Sequence, residues 1–405
     1  MKTILIASVY ILFLAGCSLN RKESNSITSA KAIQIDSLPG LCPYLTKDAK
    51  GNVVLSWVRM ADDSTSVFCY AVSKDGNFFN SPIVIPNSGN IQPHSENLPK
   101  IIFKPSGEII ALWGTHSTNP KNKYSGMVYY SQSFDDGKTW NIPKPLVADT
   151  SSFDQRYYDV SLLPGGEVGI IWLDNRKTNG KEGSALYFAS TKGKEGFRDD
   201  RPIAESCCQC CRTDLFVDSK GAIHTLYRGI IQDSIRDMVH AVSVDGGKTF
   251  SRPKRISDDN WVINACPHTG PAMAENGEGL HFAWFTGGIN KGSYYARSSD
   301  NGNNFTPRDS ISGLGSHPQI ATFNNGELIV VWDESVTLNN KSIKRIGVQK
   351  RTNAGIPGKK GFITSETLTA SYPVVLTLDG NNSLIAYSRK SGESNYIDYQ
   401  RIRIN

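Results

Sequence analysis

The chain has 405 residues, with 44 Lys and Arg against 38 Asp and Glu and a formal charge of +6. So slight a balance, with no basic run or interleaved aromatic stripe, excludes nucleic acid as a partner. Size alone allows two or three domains, but no Pro/Ser-rich linker or charge block interrupts the chain and no sustained helical period follows the leader, so one all-β domain is expected.

Residues 1–16 read as a lipoprotein signal peptide. Lys2 precedes the apolar run Ile4 to Leu14, and Leu14-Ala15-Gly16-Cys17 follows, so Cys17 is the expected lipidation site and mature N-terminus. The run is too short to span a bilayer comfortably. Ser18 after the cysteine points to the outer membrane, and residues 17–31 read as a flexible tether. The expected location is the cell envelope, with the membrane reached through the lipid only.

From residue 32 onward one spacing recurs seven times: a small or turn-type residue, a Gly/Asn turn, then an aromatic fourteen positions on. The pairs are Pro43/Trp57, Pro99/Trp113, Tyr158/Trp172, Thr213/Tyr227, Gly270/Trp284, Pro318/Trp332 and Pro373/Tyr387. Alternating apolar residues after each turn signal predict half-buried hairpins. The first members lie 48–59 residues apart, the range of propeller blades. After Tyr387 only one more strand remains, while Ala32 to Asp36 alternates like a strand ahead of the first hairpin. The N-terminal strand is therefore expected to complete the last blade and cover its edge. The predicted fold is a seven-bladed β-propeller over 32–405, a six-bladed ring with an extra sheet being the alternative.

Two columns of residues are expected at one mouth of the channel. The first, just beyond each aromatic, holds Arg59, His116, Asp174, Arg176, Arg228, Asp333, Glu334 and Arg389; the second, just before each module, holds Cys42, Asn97, Arg156, Tyr157, Cys211, Arg212, His268, His317 and Tyr372. Convergent Arg, carboxylate and Tyr suit an anionic sugar.

A second motif, Ser-x-Asp-x-Gly-x-x-aromatic, occurs at Ser133 to Trp140, Ser243 to Phe250 and Ser298 to Phe305, with weaker copies at Ser73 and Ser190. It resembles the Asp box, or bacterial neuraminidase repeat, of the sialidase superfamily, over nearly all of the mature chain. That resemblance implies a structural box between the third and fourth strands, on the face opposite the active site. It implies as well an arginine clamp, drawn from Arg59, Arg156, Arg212, Arg228 and Arg389, a Tyr nucleophile at Tyr372 or Tyr157, and an acid or base at Asp174 or Glu334. The chain departs from the family in having Leu41-Cys42-Pro43-Tyr44 where an Arg-Ile-Pro element is expected, and in seven units rather than six.

The run Cys207-Cys208-Gln209-Cys210-Cys211-Arg212 enters the fourth module, and Cys266-Pro267-His268 enters the fifth. Cys207, Cys208, Cys210, Cys211, Cys266 and His268 form a candidate copper or zinc site; the alternative is disulfide bonding, for example Cys207 or Cys208 to Cys266. Arg236 and Asp237 are expected on the same face. Eight cysteines less Cys17 leave an odd number, so at least one is unpaired or a ligand. Cys42 and Cys69 fall on strands separated by a third, too far apart to bridge. Two functions remain open: a monomeric, sialidase-like glycoside hydrolase (exo-alpha-sialidase type) of the envelope, requiring no cofactor and taking a carbohydrate or glycoconjugate, or a non-hydrolytic propeller that binds a metal, a carbohydrate or a protein.

Overall fold

Each fourteen-residue pair becomes the first two strands of a sheet. In the computed structural model, which describes residues 27–62, 64–116, 125–148, 154–176, 180–338 and 340–404, seven antiparallel sheets form a seven-bladed β-propeller. The leader and Cys17 lie outside the described residues. Blade 1 runs Gly40–Lys47, Val53–Met60, Ser66–Ser73 and Ile83–Val84 from axis to rim. The inner strands of the next five are Lys100–Phe103, Gln155–Leu162, Asp214–Val217, Ala272–Asn276 and Gly315–Thr322. Blade 7 has Thr369–Thr377, Asn382–Ser391 and Ser394–Ile404, and takes its outer edge from the other end of the chain.

That edge is longer than the sequence pattern suggests. Ile33–Gln34 pairs antiparallel with Ser394–Ile404, as expected of the 32–36 segment, but Ile27–Ser29 pairs with the same strand, Ile27 opposite Ile404. Residues 27–29, inside the stretch expected to be tether, thus belong to the propeller. Side chains lock the closure: Arg389 Nε donates to Asp398 at 2.5 Å and its Nη2 to Gln34 Oε1 at 2.7 Å, while Arg59 Nε donates to Asp36 at 2.5 Å.

All seven aromatics of the repeat sit on second strands and are at most 2% exposed. Seven apolar clusters fill the seven interfaces between neighbouring blades, including the junction of blade 7 with blade 1, where Trp57 packs with Val374 and Tyr399. Burying each large aromatic is worth roughly 4–6 kcal/mol in transfer free energy before entropy is counted.

The Ser-x-Asp-x-Gly turns join third strands to fourth strands and share one hydrogen-bond pattern. In the second, Ser243 Oγ donates to Asp245 at 2.7 Å and accepts from Gly247 N at 2.9 Å; Asp245 in turn accepts from Thr249 N at 2.9 Å and Thr249 Oγ1 at 2.6 Å. Gly247 has φ 84°, a backbone state that disfavours a side chain. Ser133/Asp135 and Ser298/Asp300 repeat the pattern. At Ser190 one turn of 3-10 helix, Gly193–Glu195, takes its place. Hydrogen bonds from the residue four positions on, Thr139 or Asn304, hold Asp135 and Asp300 down to about 2, and those of Thr249 and Ser243 lower Asp245 as well. Because these pKa values lie below the ordinary carboxylate value of about 3.9, the turns contribute stability above that pH and lose it as pH falls toward about 2. The triple variant Asp135→Asn, Asp245→Asn, Asp300→Asn is expected to show a shallower fall in Tm between about pH 4 and 2 than the wild type, read by thermal melts across that window; parallel curves would contradict it.

Candidate active site

The chemistry at the mouth begins with a backbone irregularity. The inner strands of blades 1, 3, 6 and 7 each skip register by a bulge, between Leu41 and Tyr44, Arg156 and Asp159, Ser316 and Gln319, and Ser371 and Val374. The first skipped residue is left-handed each time: Cys42 (φ 60°), Tyr157 (55°), His317 (49°) and Tyr372 (54°). His268, in the loop entering blade 5, has φ 48°. Proline follows in three of the four bulges, suited to a position that gives no ladder hydrogen bond. A left-handed non-glycine residue costs about 1–2 kcal/mol, and such strain gathers where function requires it.

Around the axis these residues meet as follows. His317 Nδ1 pairs with Asp333 Oδ2 at 2.7 Å, and the same oxygen accepts the Tyr372 backbone N–H at 2.8 Å. The His317 and Tyr372 rings stack with centroids 4.2 Å apart, and Lys344 Nζ lies 3.9 Å from Asp333 and 5.7 Å from the Tyr372 ring centre. Across the mouth, His94 packs on Tyr157 and on His268, both at 5.4 Å. His94 Nδ1 accepts the Glu96 N–H at 3.2 Å, which leaves Nε2 to carry the ring proton of the neutral form. His268 Nδ1 is buried without a hydrogen-bond partner among the described residues. Tyr157 N donates to Asn97 Oδ1 at 2.8 Å, and Arg156, bound to Asp154, lies over the Tyr157 ring.

The floor is a link across the channel. Glu96, 1% exposed, accepts from Arg212 Nη1 at 3.2 Å and from Gly270 N at 2.7 Å, while Arg212 Nη2 donates to the Gly270 and Pro271 carbonyls. Beneath it lies a channel cavity of about 260 Å³ whose wall includes Lys100, Asp159, Asp214 and Arg212. Lys100 Nζ is 2.5 Å from Asp159, and burial together with the Asp159 charge raises Asp214 well above the carboxylate range, so it keeps its proton. A further cavity, about 560 Å³, lies at the flank of blades 3 and 4, with no histidine in its wall.

Environment sets the charge states at the mouth. Burial, aided by His268, lowers His94 and holds it neutral. Burial first and then the Glu96 charge push Tyr372 up to about 12, so its hydroxyl is a proton donor at neutral pH. Asp333 falls below its usual value: burial opposes ionisation, but His317, Lys344 and the Tyr372 N–H together more than offset it.

The second expected column is thus gathered at the mouth, in Cys42, Asn97, Arg156, Tyr157, Arg212, His268, His317 and Tyr372, except for Cys211, which is buried in the apolar cluster between blades 3 and 4. The first column divides. Asp333 joins the mouth, whereas Asp174 accepts from Trp172 Nε1 and Arg176, and Glu334 accepts from Trp332 Nε1 and Arg345. Arg59 and Arg389 hold the ring closure, and Arg228 donates to the carbonyls of Arg236, Thr269 and Phe285. Asp237, fully buried, accepts the Asn260 and Trp261 N–H groups and braces the same loop with Arg255. The arginines expected to form one clamp are therefore dispersed in local structure, and only Arg156 and Arg212 remain near Tyr157 and Tyr372. His94, Glu96 and Lys344 were not among the expected residues; the one signal was the His94-Ser95-Glu96-Asn97 run before Pro99.

Of the six candidate metal ligands, three converge. The Sγ atoms of Cys208, Cys210 and Cys211 lie within 4.8 Å of one another, with Cys208 3.7 Å from Cys210 and 3.9 Å from Cys211. Cys207 is buried beside the blade 3 backbone, its thiol pushed up by that burial, and Cys266 is exposed. All seven described cysteines are free thiols in this structure. Cys42 and Cys69 are separate buried thiols, as their strand positions require.

The sequence matches no family model and no curated protein. Its fold is similar to that of a protein of unknown function from Dyadobacter fermentans, at 15% identity and TM-score 0.57, over 94% of this chain and 99% of that one. The polysaccharide lyase Uly1 aligns at 10% identity and TM-score 0.55, over 96% and 94%; the NanB sialidase of Streptococcus pneumoniae, as its K499G mutant, aligns at 10% and 0.51, over 90% and 85%. These likenesses are of fold. At such identity no site residue transfers from them, and the mouth stands on its own geometry.

The left-handed backbone at Tyr372 has a measurable consequence. Tyr372→Gly and Tyr372→Ala both lose the stack on His317, but only glycine accepts φ 54° freely, so Tyr372→Gly is expected to be more stable than Tyr372→Ala by about 1 kcal/mol. Denaturant midpoints at constant slope test this; the usual order, alanine above glycine, would remove strain from the account of the mouth.

Proposed function

We propose that this protein is a glycan-cleaving enzyme acting on an acidic polysaccharide, with His317 and Tyr372 as its proton-transfer pair. The observation that carries the reading is the His317–Asp333 pair with Tyr372 stacked on it, both aromatic residues set on left-handed bulges at the channel mouth. Asp333 holds Nδ1–H and so leaves the His317 Nε2 lone pair as the base, the role a carboxylate plays toward histidine in hydrolytic triads. Tyr372, kept protonated, supplies the acid. Arg156 and Lys344 offer positive charge to a substrate carboxylate.

These groups suit elimination at a uronic acid unit. His317 Nε2 takes the proton α to the sugar carboxylate, the C–O bond to the neighbouring sugar breaks as a carbon–carbon double bond forms, and Tyr372 Oη protonates the departing oxygen. No water is consumed. Hydrolysis of the usual kind needs two free carboxyl groups flanking the bond, and Glu96 is occupied by Arg212 and Gly270. A sialidase-type reaction, with Tyr372 as nucleophile, draws support from the nearby Glu96 and Arg212 charges but asks an unusually basic phenol to ionise. The likeness of fold to a lyase and to a sialidase is compatible with either.

Incubation with a panel of uronic-acid polysaccharides and a fluorogenic sialoside separates the two. The expected result is an ultraviolet-absorbing unsaturated product from one uronate polymer, with His317→Ala, Asp333→Asn and Tyr372→Phe each slower by about 10²–10⁴-fold at unchanged Tm. Released sialic acid, or a saturated product, would replace elimination with hydrolysis; full activity in Tyr372→Phe would dismiss both.

A further inference from the structure

The cysteine trio is not used by the chemistry at the mouth, and it has the attributes of a built site. We propose that Cys208, Cys210 and Cys211 hold one copper(I) ion in a trigonal, all-sulfur site. An ion at the centre of three sulfurs, bonded at about 2.3 Å as thiolate–metal bonds require, places them about 4 Å apart. The observed separations from Cys208, 3.7 and 3.9 Å, already meet that demand.

Ligand number selects the ion. Among the described residues no further His, Cys, Asp or Glu joins the trio. Structural zinc takes four ligands in a closed tetrahedron, whereas soft thiolates select copper(I), which is satisfied by three. Backbone geometry fixes the loop: Cys208 N donates to Arg228 O at 2.8 Å, and Ile230 N to Ser206 O at 2.6 Å, so the cysteine run is laid along the end of blade 4's second strand.

That pairing also places a counter-charge. Arg228 is 1% exposed; among the described residues its hydrogen bonds go only to carbonyls, its guanidinium lies 4.7 Å from the Trp261 ring centre, and its Nε has no hydrogen-bond partner. A buried guanidinium without a carboxylate is costly unless an anion lies near. Three thiolates around a monovalent cation carry two negative charges; Arg228 offsets one of them, and Arg236, on the adjoining loop and paired with Glu182 at 2.6 Å, is the second cation beside the trio. The thiol protons displaced on binding go to solvent. Tyr157, Leu215 and Ile171 belong to the same apolar cluster, a dry shell that keeps oxidant from the ion.

The test is an anaerobic titration of the reduced full chain with copper(I) against a chromogenic copper(I) chelator, with X-ray absorption on the loaded protein. One ion per chain with three sulfur neighbours and no nitrogen or oxygen is expected. Cys208→Ser, Cys210→Ser and Cys211→Ser should each lose more affinity than the about 10–100-fold typical of an outer-shell change, while Cys207→Ser and Cys266→Ser bind as wild type. Binding that survives Cys210→Ser, a requirement for Cys266, a preference for four-coordinate zinc, or a disulfide within the trio of anaerobically isolated protein would each overturn the site. The sulfur count on wild-type protein decides the matter even if a serine variant fails to fold.

Discussion

A ring of seven sheets must be tied once, and everything at the axis depends on that tie. Ile27–Ser29 and Ile33–Gln34 add to the outer edge of Ser394–Ile404, which places the first and last residues of the propeller in one sheet. The pairing converts an open edge into an interior strand. Arg389 joins Asp398 to Gln34, and Arg59 joins Asp36 to blade 1, so the tie is made at the backbone and secured by two ion pairs. With the ring fixed, the apolar layer between blades 7 and 1 is as continuous as the other six, and the inner strands are held at a common distance from the axis.

Fixed inner strands make the bulges useful. In a regular strand, side chains alternate between the two inter-blade layers and none points along the axis. A bulge with a left-handed residue breaks the alternation and turns one side chain toward the channel mouth. Four inner strands do this at equivalent heights, which is why a thiol, two phenols and an imidazole from blades far apart in sequence come together. Each bulge costs stability locally, and the ring supplies the rigidity that keeps it.

The same alternation explains what was legible in the sequence. The fourteen-residue ruler predicts the number of blades and the residue before each module, and in blades 1, 3, 6 and 7 that residue is the bulge position. Residues just beyond each aromatic were expected at the mouth as well, Asp174 and Glu334 among them, but positions i and i+2 of a strand share a face. Asp174 and Glu334 therefore lie beside Trp172 and Trp332 in the inter-blade layer and accept their indole N–H groups. Asp333, one residue out of phase with Trp332, faces the other way and reaches His317. His94 and Glu96 were illegible for a different reason: they precede Pro99 in an irregular loop, where no period reports direction. Lys344 was hidden in the long hairpin Leu328–Leu338 and Lys341–Arg351, whose extension beyond the core has no counterpart in the repeat.

The two candidate chemistries share a wall yet are insulated from each other. Tyr157 stands at the boundary: its ring packs on His94 at the mouth, and it belongs to the apolar cluster that contains Cys208, Cys210 and Cys211. On one side imidazoles and a protonated phenol face a polar substrate; on the other, sulfurs lie 1–4% exposed beside a buried arginine. Anionic sulfur suits the second environment because Arg228 has no other anion to satisfy, and it would be a liability in the first, where a substrate carboxylate must find Arg156 and Lys344. The left-handed turn at Tyr157 thus does more than aim a ring. It places an aromatic partition between a mouth of paired charges and a thiol-lined interior that draw on adjoining segments of blades 3 and 4.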